Sequence, residues 1–502
     1  MKRKWLSVSV WLLCMMLVLA ACGDKGGKNS AAESNGANEK MDEITIAFPM
    51  ISTILSEMPV IEEGINKITQ SKINTKVHLK AISSGEWNQQ TNLMFTGSES
   101  IDLMFVNGSL YPSMVAKNQL IKLDDLLDKY GEGIKEAVGA DYIKVPKIKG
   151  ATYGVPTIRD LASNYGVIMR KDLVDKYKID LNTINKLEDL EGVFKQIKEG
   201  EGIEPFISAA SGNTFLNGYM TWDSLGDNIG VLPGYDNDLK VVNLYETEEY
   251  KNKLDLVRSW YLNGYIAKDV ATSNATSWDR LKSNTGFAFL AAFKPGIVEQ
   301  EAKAAGIELV GKELTDVYAR SGTVSNVMWG IPTISKNADA AMKFLNLMYT
   351  DKDIVNLFDW GIEGKHYEKV EGKEGVIRFP NNVDAKTSTY NMPLGYLFGN
   401  QFLSYTMEGN NPDIWKEMDE FNKNARYSKA MGFTFDPTPV KAEYAAVTNA
   451  VTQFKIALES GSVDPERVLP EFIAKLKSAG IDKIIVEKQN QLNEWAKISS
   501  QQ

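Results

Sequence analysis

Tryptophan is the residue type whose number and placement in this chain most suggest binding chemistry. Eight of the ten tryptophans lie after residue 22. An indole ring stacks on the apolar C–H face of a pyranose, while planar Asp, Asn, Gln and Arg groups bond its rim of hydroxyls. Such a site binds neutral sugars without any net charge. Trp260, Trp415 and Trp495 fall in predicted helices, so we expect them to be packed in the core.

The other aromatic candidates lie in loops, at strand ends or next to a helix end. Asp223 directly follows Trp222 and offers a carboxylate that could accept from a sugar hydroxyl, and Asn107 follows a buried strand. These features predict a ligand-binding set of Trp87, Asn107, Trp222, Asp223, Trp278, Trp329 and Trp360. For any one of the aromatic residues, the alternative is packing in the core.

The chain has few of the residues and motifs that catalysis or metal binding usually requires. His78 and His366 are the only histidines, and no G-x-S-x-G sequence is present. The acidic stretches 180–189 and 236–238 lack the spacing of a calcium loop, so calcium stays open as an alternative. Paired carboxylates for glycoside hydrolysis also stay open, because their separation is a three-dimensional property. We expect no enzyme, no cofactor and no metal; the alternative is a surface carbohydrate-active enzyme, a lyase or a glycoside hydrolase.

Net charge and cysteine content narrow the possible partners. The formal charge is −9, and loss of Lys2, Arg3 and Lys4 with a leader would make it −12. A negative chain argues against binding to nucleic acid. Its two cysteines, Cys14 and Cys22, both lie near the start, so no disulfide framework is expected in the body of the protein.

The first 42 residues predict export and a membrane anchor. A basic start, an apolar run and small residues make residues 1–21 a signal peptide rather than a spanning helix. The sequence Leu19-Ala20-Ala21-Cys22 resembles the lipobox of bacterial lipoproteins, which implies cleavage before Cys22 and acylation of its sulfur. Residues 22–42 are polar and Gly-rich, and predict a flexible tether. The expected location is the outer face of the cytoplasmic membrane.

The next segments alternate strands and helices. Predicted strands at 43–49, 76–82 and 101–106 are separated by predicted helices at 60–70 and 86–95. This rhythm predicts an α/β fold with a parallel sheet and covering helices. Ligands lie beyond the carboxyl ends of strands in such sheets, which is why Asn107 is a candidate.

Residues 326–367, NVMWGIPTISKNADAAMKFLNLMYTDKDIVNLFDWGIEGKHY, carry a specific resemblance. A short strand, a turn at Pro332 and a long amphipathic helix resemble the return segment of bacterial extracellular solute-binding proteins of ABC importers. The closing GIEGKHY is similar to the large branch of these lipoproteins that has an extra C-terminal domain of unknown function. The resemblance implies a two-lobed periplasmic-binding-protein-like fold of type II. Each lobe would have a mixed, mainly parallel sheet with flanking helices, followed by a mainly helical C-terminal module.

The resemblance also implies the domain boundaries. The YGVP sequence at 153–156 and the RKD sequence at 170–172 are similar to the first crossing between lobes, which adds Tyr153 and Arg159 to the candidate ligand-binding residues. The first lobe would comprise residues 43–160 and, after the return crossing, 326–367. The second lobe would comprise residues 161–325. Residues 368–502 would form the C-terminal module, packed on the first lobe.

The function implied by the resemblance is capture of an oligosaccharide, or another carbohydrate, by hinge closure. The monomeric protein would deliver this ligand to the membrane permease of an ABC transporter, with Cys22 holding it at the membrane. A lipoprotein that reports its ligand to a membrane sensor is an alternative, and peptide binding is a weaker variant of the main interpretation.

Overall fold

The computed structural model describes residues 40–50, 56–97, 99–208, 214–390, 392 and 394–499. The predicted signal peptide, Cys22 and nearly all of the predicted tether lie outside the described residues. Within those ranges, no helix has both the length and the apolar character needed to span a membrane.

Strands and helices alternate along most of the chain. The strands are β1 Asp42–Met50, β2 Thr75–Ser83, β3 Leu103–Asn107, β4 Lys147–Ile148, β5 Ala151–Thr152, β6 Val155–Pro156, β7 Asn164–Arg170, β8 Glu204–Phe206, β9 Gly286–Phe293, β10 Leu309–Glu313, β11 Tyr318–Ala319, β12 Val327–Gly330, β13 Glu368–Lys369, β14 Val376–Arg378, β15 Thr406–Met407 and β16 Arg426–Tyr427. The helices are α1 Met58–Ile73, α2 Trp87–Met94, α3 Tyr111–Ala116, α4 Asp124–Tyr130, α5 Glu132–Val138, α6 Lys171–Tyr177, α7 Leu190–Glu201, α8 Glu248–Leu262, α9 Ser277–Lys282, α10 Ile297–Ala305, α11 Ser321–Val324, α12 Ala338–Thr350, α13 Lys352–Asp359, α14 Ile414–Lys423, α15 Lys441–Glu459, α16 Pro465–Ala479 and α17 Ile481–Ser499.

The first lobe is built on a sheet with the strand order β2-β1-β3-β12-β6. Strand β1 pairs in parallel with β2 and β3, because the helices α1 and α2 make the crossovers between them. Strand β12 enters the same sheet antiparallel to β3 and β6. The chain therefore returns to the first lobe after building the second, as the resemblance implied.

The second lobe has its own sheet, with the strand order β10-β7-β9-β8. Only the β8–β9 pair is parallel, while β7 runs antiparallel to both β9 and β10. This sheet is mixed, but antiparallel pairs outnumber the parallel one, unlike the mainly parallel sheet expected. The two-lobed α/β fold itself is confirmed.

The last part of the chain is divided between the lobes. Residues such as Leu397 and Phe398 belong to the first lobe's core, whereas Val447, Phe472 and Ile484 belong to the second lobe's core. The prediction that the whole C-terminal module packs on the first lobe is therefore wrong. The physical reason is that α15, α16 and α17 have apolar faces, which pack against aromatic residues of the second lobe.

Aromatic contacts show how closely these helices are joined to the second lobe. The rings of Tyr245 and Phe472 lie 4.8 Å apart, centroid to centroid, and Tyr245 also packs edge-on against Tyr250 of α8. Helix α16 begins at Pro465. Asp464 caps its first turn by accepting from the backbone N–H of Glu466 at 3.1 Å. The exact limits of the predicted domains stay predictions.

Candidate ligand-binding cleft

A cleft of about 640 Å³ lies where the two lobes meet. The first lobe contributes Pro49, Phe105 and Asn107, at or near the carboxyl ends of β1 and β3. The segments 157–161 and 320–327, which connect the lobes, form further parts of the wall, as do residues 394–397. This position matches the rule that α/β sheets bind ligands beyond the carboxyl ends of their strands.

Arg320 is the most unusual polar residue of the cleft wall. It is 5% exposed, and its Nη1 donates to the Tyr165 hydroxyl at 3.2 Å and to the Met220 sulfur at 3.0 Å. Its Nε and Nη2 have no hydrogen-bond partner among the described protein residues. Buried donors without acceptors cost about 1–3 kcal/mol, more when charged. A ligand that supplies acceptor oxygens would recover that free energy.

A second charged group lies at the first crossing between the lobes. Asp160 accepts from Arg159 Nη2 at 3.0 Å and from Lys294 Nζ, beyond the end of β9, at 3.0 Å. Burial would raise the pKa of Asp160, but the positive charges of Arg159 and Lys294 hold this pKa below its usual range. Asp160 therefore stays ionised and pairs with Lys294, which joins the first crossing to the second lobe.

Three aromatic residues supply apolar surface to the cleft. Phe105 and Tyr396 face it from the first lobe's side, and Tyr165 faces it from the start of β7. The Arg159 guanidinium carbon lies 4.5 Å from the centre of the Tyr396 ring, which fixes both side chains next to each other. Rings beside fixed polar groups are the surfaces on which sugars stack and bond.

Of the nine residues predicted from sequence, Asn107 and Arg159 line the cleft. The side-chain oxygen of Asn107, Oδ1, accepts from the backbone N–H and the hydroxyl of Ser109, at 2.9 and 2.6 Å. Its amide nitrogen is then the group that could donate to a ligand. Both residues stay predictions as ligand contacts.

Trp222, Asp223 and Trp329 do not face the cleft, although each was predicted to. Trp222 is 2% exposed and donates to Asn228 Oδ1, while Trp329 is fully buried and donates to the Leu397 carbonyl. Asp223 is equally buried and accepts from the Ser428 hydroxyl. Their polar atoms are used inside the protein and none of the three lines the cleft, so their role as ligand contacts stays a prediction without support from this position.

The remaining four predicted residues also lie away from the cleft wall. Trp87 is buried behind Phe105, with the ring centroids 5.6 Å apart. Tyr153 packs against the first lobe's core, and Trp360 donates to Ser404 Oγ in a separate apolar cluster. Trp278 is 40% exposed on α9, where it donates to Glu301. Tryptophan content is therefore a poor guide to the cleft, whose described aromatic residues are Phe and Tyr.

Four residues of the cleft wall were not predicted from the sequence: Arg320, Phe105, Tyr165 and Tyr396. Phe105 had a usable signal, because it lies two residues before Asn107 at the end of a buried strand. Arg320 had none, since a single arginine in a loop gives no hint of burial. Among the described residues, no three His, Cys, Asp or Glu side chains are grouped so as to hold a metal ion.

Two family models match the chain. The model of the bacterial extracellular solute-binding protein covers residues 56–354, which include most of both lobes. The model of a domain of unknown function, DUF3502, covers residues 429–497, which include α15, α16 and all but the last two residues of α17.

Individual relatives agree with the family models. A carbohydrate ABC transporter substrate-binding protein of Streptococcus pneumoniae is 29% identical over 500 residues, or 99% of each chain. The polygalacturonan/rhamnogalacturonan-binding protein YtcQ of Bacillus subtilis is 23% identical over 74% of this chain and 76% of its own.

Solved structures extend the agreement to the fold. The N-glycan transport solute-binding protein NgtS of S. pneumoniae is 28% identical, with a TM-score of 0.80 over 91% of this chain and 99% of its own. Its complexes with Man1GlcNAc and Man5GlcNAc give TM-scores of 0.71 and 0.67. With two lobes around one cleft and a family match over more than half of its length, the chain belongs to the bacterial extracellular solute-binding protein family.

Proposed function

We propose that this protein captures an oligosaccharide in the cleft between its lobes and delivers it to the permease of an ABC importer. The observation that carries the proposal is Arg320, a residue of the cleft wall. Its Nε and Nη2 are buried without a hydrogen-bond partner among the described residues, and aromatic rings line the cleft beside it. The NgtS complexes with Man1GlcNAc and Man5GlcNAc support a glycan as the ligand. The cleft volume of about 640 Å³ suits a ligand of a few sugar rings.

Capture follows from the way the cleft is divided. Phe105 and Asn107 come from the first lobe, Tyr165 from the second, and Arg320 from the segment that returns to the first. A sugar placed between them binds both lobes at once and so favours the closed arrangement over the open one. In this proposal Phe105 and Tyr396 stack on sugar rings, while Arg320 and Asn107 donate to oxygens.

The proposal includes export and a lipid anchor at Cys22. Acyl chains on this cysteine contribute about 0.8 kcal/mol for each buried CH₂ group and hold the protein at the outer face of the membrane. The polar residues up to 42 leave the binding body free to meet its permease. The protein acts as a monomer and does no chemistry on its ligand.

Thermal unfolding of residues Gly23–Gln502 with a panel of oligosaccharides, monosaccharides and peptides tests the proposal. A ligand at about 100 times its dissociation constant adds roughly 2.7 kcal/mol to the free energy of unfolding. We expect an upward shift in Tm with an oligosaccharide and no new product by chromatography. A peptide-only shift would contradict the proposed ligand class, and product formation would make the protein an enzyme.

A second ligand class, an oligosaccharide with carboxylate groups, is favoured by the charges of the cleft. Among the residues that the structure describes, no carboxylate lies within ion-pairing distance of Arg320, and Arg159 and Lys294 share the carboxylate of Asp160. The relative YtcQ is named for binding polygalacturonan and rhamnogalacturonan. Oligogalacturonides belong in the same panel, because a shift with them alone would select this class over neutral N-glycans.

A further inference from the structure

A short turn of the second lobe forms one edge of the cleft. Residues 223–232, here called the cleft turn, are closed by two backbone hydrogen bonds of 3.0 Å between Asp223 and Leu232. Ser224 and Gly226, within this turn, line the cleft. The position of the cleft turn therefore sets the shape of the ligand site on the second lobe's side.

The backbone of the cleft turn is held in a conformation that its residues do not favour. Leu225 has a φ of 46° and Asn228 a φ of 61°, both in the left-handed region. Leucine rarely adopts this region, because its Cβ approaches its own backbone. Strained backbone of this kind persists only where neighbouring groups hold it, and it is concentrated at ligand-binding sites.

Groups from the C-terminal helices hold the cleft turn. Lys488 of α17 is fully buried, and its Nζ donates to Asp227 Oδ1 at 2.6 Å and to the Gly230 carbonyl at 3.2 Å. The Tyr444 hydroxyl of α15 donates to the other oxygen of Asp227 at 3.1 Å. Asp227 in turn accepts from the backbone N–H of Ile229 at 2.8 Å, within the turn itself.

Contacts on either side of this ion pair restrict the turn further. Gln489 donates to the Leu239 carbonyl at 3.0 Å and accepts from the Val241 N–H at 2.8 Å, on the chain that follows the turn. A Cβ built at Gly230 would lie 2.8 Å from Val241 Cγ1 and 3.4 Å from Lys488 Cδ, so Lys488 is within van der Waals reach of this position. The same helix thus contacts the turn and the segment beside it.

We propose that the C-terminal domain, matched at residues 429–497 as a domain of unknown function, is a positioning element for the ligand site. Lys488 and Tyr444 are its positioning residues, since they hold Asp227 and, through it, the strained cleft turn. The effect on backbone order is independent of the ligand. The effect on affinity rests on the proposed function.

Hydrogen exchange of Gly23–Gln502 without ligand tests the positioning directly. Residues 41–502 form one compact unit, so this chain retains it. The variant Lys488→Met keeps a long, unbranched side chain but lacks the ammonium group. In this variant we expect the amides of residues 229–232 to exchange about ten-fold faster or more. The matched control is Lys477→Met, which removes a 2.6 Å ion pair between α16 and Glu246, away from the turn. This control should leave those amides unchanged.

Affinity for Man5GlcNAc gives the second readout. We expect Lys488→Met to weaken binding about ten-fold, since a disordered turn must be ordered again when ligand binds. Tyr444→Phe, which removes only one hydroxyl, should weaken binding by a smaller factor. Its affinity can still be measured if Lys488→Met does not fold. If wild-type protein fails to bind this glycan, the proposed ligand is wrong, but the exchange result still decides on the positioning role.

The proposal is overturned if the cleft turn keeps its wild-type exchange in folded Lys488→Met, or in Tyr444→Phe where the lysine variant does not fold. It is equally overturned if Lys477→Met speeds exchange in the turn to the same extent, because the domain would then act only through general stability.

Discussion

At the scale of a single residue, Arg320 bears on both the stability of the protein and the binding of its ligand. Its side chain lies between the rings of Tyr165 and Tyr318, with the guanidinium carbon 5.5 and 5.6 Å from their centres. These contacts hold the charge in place, yet its Nε and Nη2 have no hydrogen-bond partner among the described residues. The residue is therefore better suited to a ligand-bound state than to the empty cleft.

Replacing Arg320 by methionine should weaken ligand binding without lowering the stability of the protein. We expect binding of the oligosaccharide to weaken by about 10- to 100-fold, the value of a charge-assisted hydrogen bond of roughly 1.5–3 kcal/mol. The free energy of unfolding should stay the same or rise, because a buried, incompletely bonded charge is removed. Calorimetric titration and denaturant unfolding measure the two quantities.

The control for this prediction is Arg426→Met. Arg426 is half-exposed and makes 3.1 Å ion pairs with Asp236 and Asp316, and it does not line the cleft. Exposed ion pairs contribute little, so neither affinity nor stability should change by more than about 1 kcal/mol. An Arg320→Met protein that unfolds more easily but binds normally would show that the guanidinium serves the fold rather than the ligand.

The tryptophans predicted from composition lie outside the cleft wall, whereas Asn107, predicted from its place at a strand end, lines it. Asn107 could be predicted because strand ends in α/β sheets converge at one edge, a rule of topology that needs no side-chain detail. Trp222 and Trp329 could not be assigned, because a large aromatic side chain serves equally well for stacking on sugar and for filling a core. Only the packing around each indole decides between these uses.

At the scale of elements, the loop of residues 394–403 ties the cleft to both crossings. The Gly399 carbonyl accepts from the Ile158 N–H at 2.8 Å, and the Asn400 N–H donates to the Met348 carbonyl of α12 at 3.1 Å. Gly399 has a φ of 69°, and a Cβ there would lie 2.2 Å from the Met348 oxygen. The close approach of this loop to α12 therefore needs glycine.

Gly399→Ala should destabilise the protein more than Gly409→Ala does. Both glycines have positive φ, 69° and 84°, but a Cβ at Gly409 would meet nothing within 4 Å. Gly409→Ala should cost about 1–2 kcal/mol from its backbone conformation alone. Gly399→Ala should cost roughly 3 kcal/mol or more, because loop and helix must separate. Equal losses in denaturant unfolding would mean that the loop moves freely away from α12.

Element types were predictable where the sequence pattern was strong. Strands β1, β2 and β3 and helices α1 and α2 lie within a few residues of their predicted limits, since their apolar pattern defines them locally. The packing partner of the C-terminal helices was predicted wrongly. An amphipathic face shows that a helix is buried but does not show which surface buries it.

At the scale of the whole molecule, the proposed function depends on closure of the two lobes on a ligand in the cleft. The similarity to NgtS falls from a TM-score of 0.80 to 0.71 and 0.67 in its two glycan complexes, although the sequence identity stays at 28%. A change in the angle between lobes of NgtS would produce such a difference. We expect closure of the two lobes to bring the cleft turn and Arg320 against the same ligand.

Small-angle X-ray scattering of Gly23–Gln502, with and without a saturating oligosaccharide from the binding panel, tests this account most directly. The account predicts that the radius of gyration falls when the ligand binds. It also predicts no fall for Arg320→Met at a ligand concentration that saturates only the wild-type protein. An unchanged radius of gyration at proven saturation of the wild type would contradict capture by closure of the two lobes.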